Sequence, residues 1–332
     1  MYKLCFLGRK PIFNIINSKY YIENNRFGEL QAINSMDRLN IVRSIENSDF
    51  LFFRNKPENT TDLDFNKLKN IEKKYKKKVI NPISSFYNYD LKDKCFSLWK
   101  KNGLLTPEYI RLDYKNSIND ECQKIKNFIK KNDSILLRTN NETGSKGMYY
   151  LDNYNTDQDI TIAFNKIKSR LLSRLIKHKN SCIIAVDFIG SNNNYNSLNR
   201  VHVFDGKVLG GYALVSYKNI FHAKHMNIND FDKFIFMNKK LSELLLDNDK
   251  VNQIIKSINV LGNNIGAVEF FCVDDKIIFL ELNPMWGGNQ LCFGAMQKKI
   301  IEKKNELYKE VPMVYNWLDK KKYYKKMYEL LL

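Results

Sequence analysis

The stretch that decides the fold lies near the C-terminus, where residues 266–288 read GAVEFFCVDDKIIFLELNPMWGG. Residues 267–273 and 276–282 are rich in β-branched and aromatic side chains, a composition typical of strands. The polar pair Asp274-Asp275 between them suits a tight turn, which needs residues that tolerate positive backbone angles. The stretch therefore predicts a β-hairpin.

Each strand of this hairpin carries one acid, Glu269 on the first and Glu281 on the second, and Asn283 follows Glu281 by two residues. Alternate side chains of a strand share a face, so Glu281 and Asn283 reach one point, and Glu269 lies across the ladder. Carboxylates on an apolar sheet are costly unless a positive charge neutralises them, and hard oxygen ligands suit Mg²⁺ or Mn²⁺. The alternative is a half-exposed hairpin whose acids face water. The Asn-Pro and Gly-Gly pairs that follow favour a metal and phosphate site.

The composition bounds the remaining possibilities. The 332 residues carry a formal net charge of +18, contain six scattered cysteines and include no apolar run long enough to cross a membrane. Without a signal-peptide pattern at the N-terminus, we predict a cytoplasmic protein with reduced cysteines in its core. The basic charge permits a nucleic-acid partner. However, the lysine runs at 73–78 and 320–326 are typical of solvated helices, and no nucleic-acid-binding motif accompanies them.

The first 90 residues alternate short strands with helices. Strands are predicted at 2–7, 50–53 and 79–80, and helices at 36–46 and 65–77. This alternation is typical of a small open α/β sheet. A helix at 90–102 follows, with Asp90 as its N-cap and Gly103 directly after its end.

A phosphate-binding arrangement is predicted in the middle of the chain. The strand at 134–139 contains Arg138 and leads into a polar loop rich in glycine and serine, in which backbone N–H groups can approach an anion. The loop residues are Thr143, Gly144, Ser145, Lys146 and Gly147.

The rest of the chain contains a second hairpin. A helix at 160–175 and a strand at 181–189 precede it, and its strands at 198–204 and 207–215 flank Asp205-Gly206. A single helix is predicted at 236–259. Two lysine-rich amphipathic helices are predicted at 290–310 and 319–332.

These motifs, taken together, resemble those of the ATP-grasp enzymes, which include D-alanine–D-alanine ligase, biotin carboxylase and glutathione synthetase. The resemblance covers roughly residues 90–290, in the family's order. The matching motifs are Asp93-Lys94 with Gly103-Leu-Leu-Thr-Pro107, the strand and loop around Arg138, the strand before Gly190, the hairpin with Arg200, and Glu281-Leu-Asn283-Pro284.

The resemblance implies an α/β (α+β) fold in which a small N-terminal open α/β domain precedes the two-lobed ATP-grasp fold. The domains are then residues 1–90, the small lobe at 91–180, and the large lobe at 181–332 with the metal and substrate site and the C-terminal helices.

The resemblance also implies a role for individual residues. Lys94, Arg138 and the loop Thr143, Gly144, Ser145, Lys146 and Gly147 would bind the phosphates of ATP; Val186, Asp187 and Phe188 would bind the nucleoside; Arg200 would act on the transferred phosphate; Glu269, Glu281 and Asn283 would hold Mg²⁺ or Mn²⁺; Gly287, Gly288 and Asn289 would orient the substrate carboxylate. Arg138 stands where the family usually has lysine, and Ala267 and Met285 stand where many amino-acid ligases of the family have arginine.

The implied activity is that of an ATP-dependent carboxylate–amine ligase. A small-molecule or peptide carboxylate would attack ATP to form an acyl phosphate, and an amine would displace phosphate. A kinase or phosphotransferase on the same nucleotide site is the first alternative, and a basic nucleic-acid-binding protein is the second. We expect no membrane span and no specific nucleic-acid partner, and a homodimer is left open.

Overall fold

A computed structural model describes residues 4–8, 46, 50–54, 62–75, 78–142, 147–190, 196–220, 226–284, 299–300 and 302–311. The strands of these residues are β1 Leu4–Gly8, β2 Phe50–Arg54, β3 Lys78–Ile80, β4 Tyr109–Leu112, β5 Ser134–Thr139, β6 Tyr149–Asp152, β7 Ile183–Asp187, β8 Asn196–Phe204, β9 Lys207–Ser216, β10 Ile265–Val273 and β11 Lys276–Asn283. The α-helices are α1 Asp62–Tyr75, α2 Phe86–Asp90, α3 Lys92–Lys101, α4 Ile118–Asn132, α5 Asp157–Leu175, α6 Phe231–Leu244, α7 Asn248–Asn259 and α8 Lys304–Glu310.

The N-terminal sheet consists of β1, β2 and β3, which pair in parallel in that order. Parallel neighbours require a crossover connection, and α1 supplies it between β2 and β3. The predicted small open α/β domain is therefore confirmed. The helix predicted at 36–46 lies outside the described residues, apart from Glu46.

The second sheet has the order β4-β7-β5-β6, and all of its strands are antiparallel to their neighbours. Helices α4 and α5 cover one face, where Ile125, Phe164 and Ile135 are fully buried. Strand β6 was not predicted, because its four residues, YYLD, are too few to show a clear alternation. Since β7 belongs to this sheet, we place the boundary between the lobes after β7 and not at residue 180.

The third sheet has the order β11-β10-β8-β9 and consists of the two predicted hairpins. Both turns have positive φ angles, 45° at Asp205 and 75° at Gly206, 46° at Asp274 and 60° at Asp275. The hairpin predictions are confirmed. The helix predicted at 236–259 is wrong as a single helix, because Asp247 interrupts it. The Asp247 side chain caps α7 by accepting hydrogen bonds from the N–H groups of Asp249 and Lys250.

The helix that leads into the site begins later than predicted. Asp90 is the last residue of α2 and does not cap α3. Leu91 is extended, with φ −87° and ψ 104°, and α3 begins at Lys92. The predicted end is confirmed by Gly103, whose φ is +76°. The break at Leu91 sets the direction in which the first side chain of α3 points.

One hydrophobic core joins the N-terminal domain to the third sheet. It contains Leu51 of β2, Leu68 of α1 and Phe279 of β11, and Trp99 of α3 lies within it. The Trp99 indole donates a hydrogen bond of 2.6 Å to the Ser257 carbonyl. The core of the second sheet is separate.

Four of the cysteines, Cys95, Cys122, Cys182 and Cys272, carry free thiols. Cys95 and Cys122 are buried, and Cys182 is partly buried. Cys272 is exposed, which corrects the prediction that all cysteines are core residues. Among the described residues, the helices include none with the length and apolar character needed to cross a membrane.

Candidate active site

The predicted metal ligands lie together on the hairpin of β10 and β11. Glu269 and Glu281 are directly opposite each other in the antiparallel register. The Asn283 amide donates a hydrogen bond of 3.0 Å to Glu269 Oε1. Two carboxylates and an amide oxygen thus share one face of the sheet, a donor set that suits a hard divalent cation. The described residues contain no group of three His, Cys, Asp or Glu side chains that could hold a metal, so a cation here would depend on the amide, water or substrate oxygens.

Arg200 lies directly beside this hairpin. It is opposite Glu269 in the pairing of β8 with β10, and its guanidinium forms an ion pair with the Glu269 carboxylate. Its other terminal nitrogen lies 3.3 Å from the Tyr212 hydroxyl. His202, two residues along the same face, is buried, and burial together with the Arg200 charge lowers its pKa well below the usual value. The imidazole is therefore neutral, whereas Arg200 carries a positive charge on this face.

Lys92, rather than Lys94, is the lysine that the structure brings to the site. Lys92 is only 4 % exposed, and its ammonium lies 3.4 Å from Glu281 Oε2. Lys94 is exposed. Two residues of a helix are separated by about 200° around the axis, so the two side chains point in opposite directions. The assignment of Lys94 to the phosphates is corrected accordingly. The break at Leu91 determines which lysine faces the site, but the sequence pattern predicts one continuous helix across it.

Arg138 approaches the same point from the second sheet. The Glu142 carbonyl accepts a hydrogen bond of 2.6 Å from Arg138 and one of 3.3 Å from Lys92. Burial lowers the pKa of both cations, and Glu281 opposes that effect. Two buried cations this close repel each other unless anions lie nearby. The arrangement is therefore suited to an anionic ligand.

The polar loop after β5 is anchored at both ends. The Glu142 carboxylate accepts hydrogen bonds from the Thr139 hydroxyl (2.9 Å) and from Arg170 Nε (3.1 Å) and Nη2 (2.5 Å). Burial acts against ionisation, but these bonds lower the pKa of Glu142 overall. Gly147 has a φ of +60° and lies against the same pair. The other predicted loop residues, Thr143, Gly144, Ser145 and Lys146, lie outside the described residues.

The predicted nucleoside segment is only partly in place. Val186 is opposite Leu136 in the pairing of β7 with β5, and it shares a face with Arg138 and Ile184. The N–H groups of Asp187 and Phe188 already donate to the carbonyls of Glu108 (2.8 Å) and Ser134 (3.1 Å). These two donors are therefore committed to the sheet.

Asp187 points away from Arg138. Alternation along β7 places it with Ile183 and Ala185 on the face covered by helices. Burial, reinforced by Glu108, raises its pKa to about 6. The expected contact of Asp187 with the nucleoside is not supported by this position.

Two residues that were not predicted lie on the Arg138 face of the second sheet. Leu136 is half-buried, and Tyr150 is its partner on β6. The Tyr150 ring makes an edge contact with Phe188, at 5.1 Å between ring centroids. Together they form an apolar wall. Period-two alternation from Arg138 would have identified Leu136, whereas Tyr150 lies on the strand that was missed.

The substrate residues Gly287, Gly288 and Asn289 lie outside the described residues.

Comparison with known proteins places this geometry in a structural context. Neither a protein-family model nor a curated protein matches the chain. Solved structures do. The D-alanine–D-alanine ligase of Bacillus anthracis complexed with ATP aligns with a TM-score of 0.53 and 12 % identity, over 97 % of this chain and 99 % of that one.

Two further structures agree. The D-alanine–D-alanine ligase of Coxiella burnetii aligns with a TM-score of 0.53 and 10 % identity, over 99 % of this chain and 100 % of that one. The ATP-grasp ligase PsnB, complexed with precursor peptide PsnA2 and AMPPNP, aligns with a TM-score of 0.51 and 8 % identity, over 90 % and 96 %. At these identities the likeness establishes the architecture. The chain has the ATP-grasp fold.

Proposed function

We propose that this protein is an ATP-dependent ligase that activates a carboxylate as an acyl phosphate and joins it to an amine, releasing ADP and phosphate. One observation carries the proposal. The acid-bearing hairpin of the large lobe meets two buried cations, Lys92 and Arg138, with Lys92 within 3.4 Å of Glu281. A site that holds divalent cations beside phosphate-binding cations fits a nucleoside triphosphate.

Mg²⁺ would be held by Glu269, Glu281 and Asn283, and when bound it would neutralise charge on the phosphates of ATP. Lys92 and Arg138 would bind phosphate oxygens, since both are buried and both donate to the Glu142 carbonyl. The apolar wall of Leu136 and Tyr150 lies on the Arg138 face, where it would pack against the base.

Arg200 would stabilise charge on the transferred phosphoryl group. It lies on the face of the large-lobe sheet that carries Glu269, and Tyr212 holds its far nitrogen. A fixed guanidinium offers two donors in one plane, which suits the equatorial oxygens of a phosphoryl group in the transition state of its transfer. We also propose the remaining predicted contacts. The phosphates would be bound by the loop residues Thr143, Gly144, Ser145, Lys146 and Gly147. The substrate carboxylate would be oriented by Gly287, Gly288 and Asn289.

The substrates we propose are a small-molecule or peptide carboxylate and an amine. The similar proteins named above include ligases described with D-alanine and with a precursor peptide. This chain has a formal charge of +18, which would attract ATP and an acidic substrate.

The nucleotide site is tested by thermal unfolding with Mg²⁺ and ATP. A ligand at a hundredfold excess over its Kd should stabilise the native state by about 2.7 kcal/mol. We expect this gain in the intact protein and in the control Glu243→Gln, which changes an exposed residue of α6. Glu281→Gln should lose most of the gain. No gain in the intact protein at millimolar ATP would refute the site.

The reaction is tested with a substrate labelled with ¹⁸O in its carboxylate. An acyl phosphate transfers one carboxylate oxygen to the phosphate that is released, so label must appear in inorganic phosphate. A kinase would instead yield a stable phosphorylated product, and inorganic phosphate would not accumulate. Candidate carboxylates and amines are first screened in pairs for ATP-dependent phosphate release.

A further inference from the structure

A single side chain of the N-terminal domain closes the open end of the acid-bearing hairpin. Asn81 directly follows β3, has a φ of +56° and is only 4 % exposed. Its side-chain amide donates a hydrogen bond of 3.0 Å to the Pro284 carbonyl. Its side-chain oxygen accepts from the N–H groups of Asn264 (3.2 Å) and Ile265 (3.0 Å). About two hundred residues of sequence separate the partners of the first bond.

The position of these bonds explains why an amide is needed. The ladder between β10 and β11 ends at the pair Ala267 and Asn283. The residue that follows β11 is Pro284, which has no N–H group and cannot continue the ladder. Buried N–H groups on the β10 side and a carbonyl on the β11 side then need partners. A carboxamide supplies both an acceptor and donors in one plane, whereas a carboxylate supplies acceptors alone.

Asn81 thereby fixes the peptide that follows Asn283. The Pro284 carbonyl is one residue beyond Asn283, whose side chain donates to Glu269. If the Pro284 peptide rotates, Asn283 is displaced with it, because the two residues are consecutive in the chain and the ladder ends at Asn283. Groups that orient metal ligands in this way change metal affinity when they are removed.

We propose that Asn81 is a positioning residue for the metal end of the hairpin, through which the N-terminal domain sets the affinity of the site for divalent cations. This inference rests on the function proposed above. Asn81 itself does not contact substrate or metal in this role. Its contribution passes through the Pro284 carbonyl to Asn283.

The test is the substitution Asn81→Asp. It preserves side-chain size and the acceptor for Asn264 and Ile265, but it replaces the donor to Pro284 by an oxygen that repels that carbonyl. The matched control is Asn88→Asp, because the Asn88 amide also donates to a distant carbonyl, that of Leu261, at 3.1 Å. Both substitutions add the same charge and remove one donor, but the Asn88 amide donates to Leu261, which precedes β10, and not to Pro284.

The readout is ATP affinity, measured by titration calorimetry in Mg²⁺ and in EDTA. The Kd in EDTA divided by the Kd in Mg²⁺ gives the factor by which the metal strengthens ATP binding. We expect Asn81→Asp to reduce this ratio by roughly 10-fold to 100-fold, as for other residues that orient metal ligands. ATP affinity in EDTA should stay within about twofold of the intact protein, and Asn88→Asp should leave the ratio unchanged.

Two results distinguish the possible failures. If the intact protein binds ATP no better in Mg²⁺ than in EDTA, the proposed function fails at its metal site. If the intact protein shows the metal effect and Asn81→Asp retains it in full, this inference is overturned, even if the thermal midpoint falls. Where Asn81→Asp does not fold, Asn81→Ser and Asn81→Gln are measured in the same way. If either of these variants folds and keeps the Kd ratio of the intact protein, the inference is overturned as well.

Discussion

Lys92 and Lys94 lie two residues apart on α3, and only Lys92 is buried in the candidate site. We therefore expect Lys92→Met to weaken ATP binding by about 10-fold to 100-fold, since a hydrogen bond to a charged group contributes roughly 1.5–3 kcal/mol. Calorimetric titration with ATP and Mg²⁺ measures the effect. Lys94→Met is the matched control and should change the affinity less than twofold. Equal losses in the two variants would contradict the placement of Lys92.

Asp187 predicts how the stability of the protein depends on pH. Its pKa is raised to about 6 by burial and by Glu108, above the value of about 4 that is usual for an unfolded chain. The native state therefore holds more protons than the unfolded state between about pH 4 and pH 6. The free energy of unfolding should fall as the pH rises through this window.

Asp187→Asn removes the buried charge, so it should stabilise the protein at pH 7. We expect about 1 kcal/mol, because Asp187 is only partly buried and solvent screens its charge. Chemical denaturation at pH 4 and pH 7 measures the gain, which should vanish at pH 4. ATP affinity should not change. A large loss of affinity would support the contact of Asp187 with the nucleoside that the resemblance implies.

At the scale of elements, the ion pair of Glu142 with Arg170, which holds the loop after β5, depends on Gly147. An added Cβ at this position would lie 2.6 Å from Glu142 Oε2 and closer still to Arg170, in a backbone with a φ of +60°. Gly147→Ala should therefore break the Glu142 and Arg170 pair and shift the Glu142 carbonyl, which holds Lys92 and Arg138. We expect a loss of about 3 kcal/mol of stability, from backbone strain and the lost bonds, and about tenfold weaker ATP binding.

Gly206→Ala is the control for Gly147→Ala. Its φ is +75°, and an added Cβ would meet no atom within 4 Å. It should therefore cost only the strain of about 1 kcal/mol and leave ATP affinity unchanged. Thermal unfolding and ATP titration of the two variants separate strain from collision. A Gly147 variant that behaves like the Gly206 variant would show that the pair adapts.

The elements that the sequence predicted well are those whose signal is local. The turns at Asp205-Gly206 and Asp274-Asp275 require positive φ angles, and their flanking strands alternate clearly, so both hairpins are confirmed. Strand β5 is correct to the residue. The break at Leu91 and the interruption at Asp247 carry weak local signals, because helical periodicity continues across both.

The parts of the candidate site that the sequence missed depend on tertiary contacts. Glu269, Glu281 and Asn283 meet because hairpin register places them together, which alternation can predict. Lys92 depends on where α3 begins, and Tyr150 depends on a strand that only its pairing with β5 defines. Asn81 contacts residues about two hundred positions away, and no pattern within its own neighbourhood indicates that contact.

At the scale of the whole molecule, two hydrophobic cores formed by described residues are separate from each other. One joins the N-terminal domain, α3 and the large-lobe sheet, and the other lies between the second sheet and its helices α4 and α5. Strand β7 contributes to both, since Ile184 and Val186 face the first core while Ile183 and Ala185 face the second. The candidate site lies where these two bodies meet, with Arg138 on one and Glu281 on the other.

These two separate cores predict that the segments around each one unfold as different cooperative units. Phe279 and Phe164 are both fully buried, the first in the shared core and the second in the core of the second sheet. Phe279→Leu should lower hydrogen-exchange protection in α1, α7 and β8–β11, and Phe164→Leu in α4, α5 and β4–β6, each by roughly 1–2 kcal/mol. Strand β7 should lose protection in both variants, because each face belongs to one core. Exchange measured by mass spectrometry resolves these segments. An even loss across the chain in both variants would instead require a single cooperative unit, and the contact between the two bodies would then stabilise the protein as much as either core.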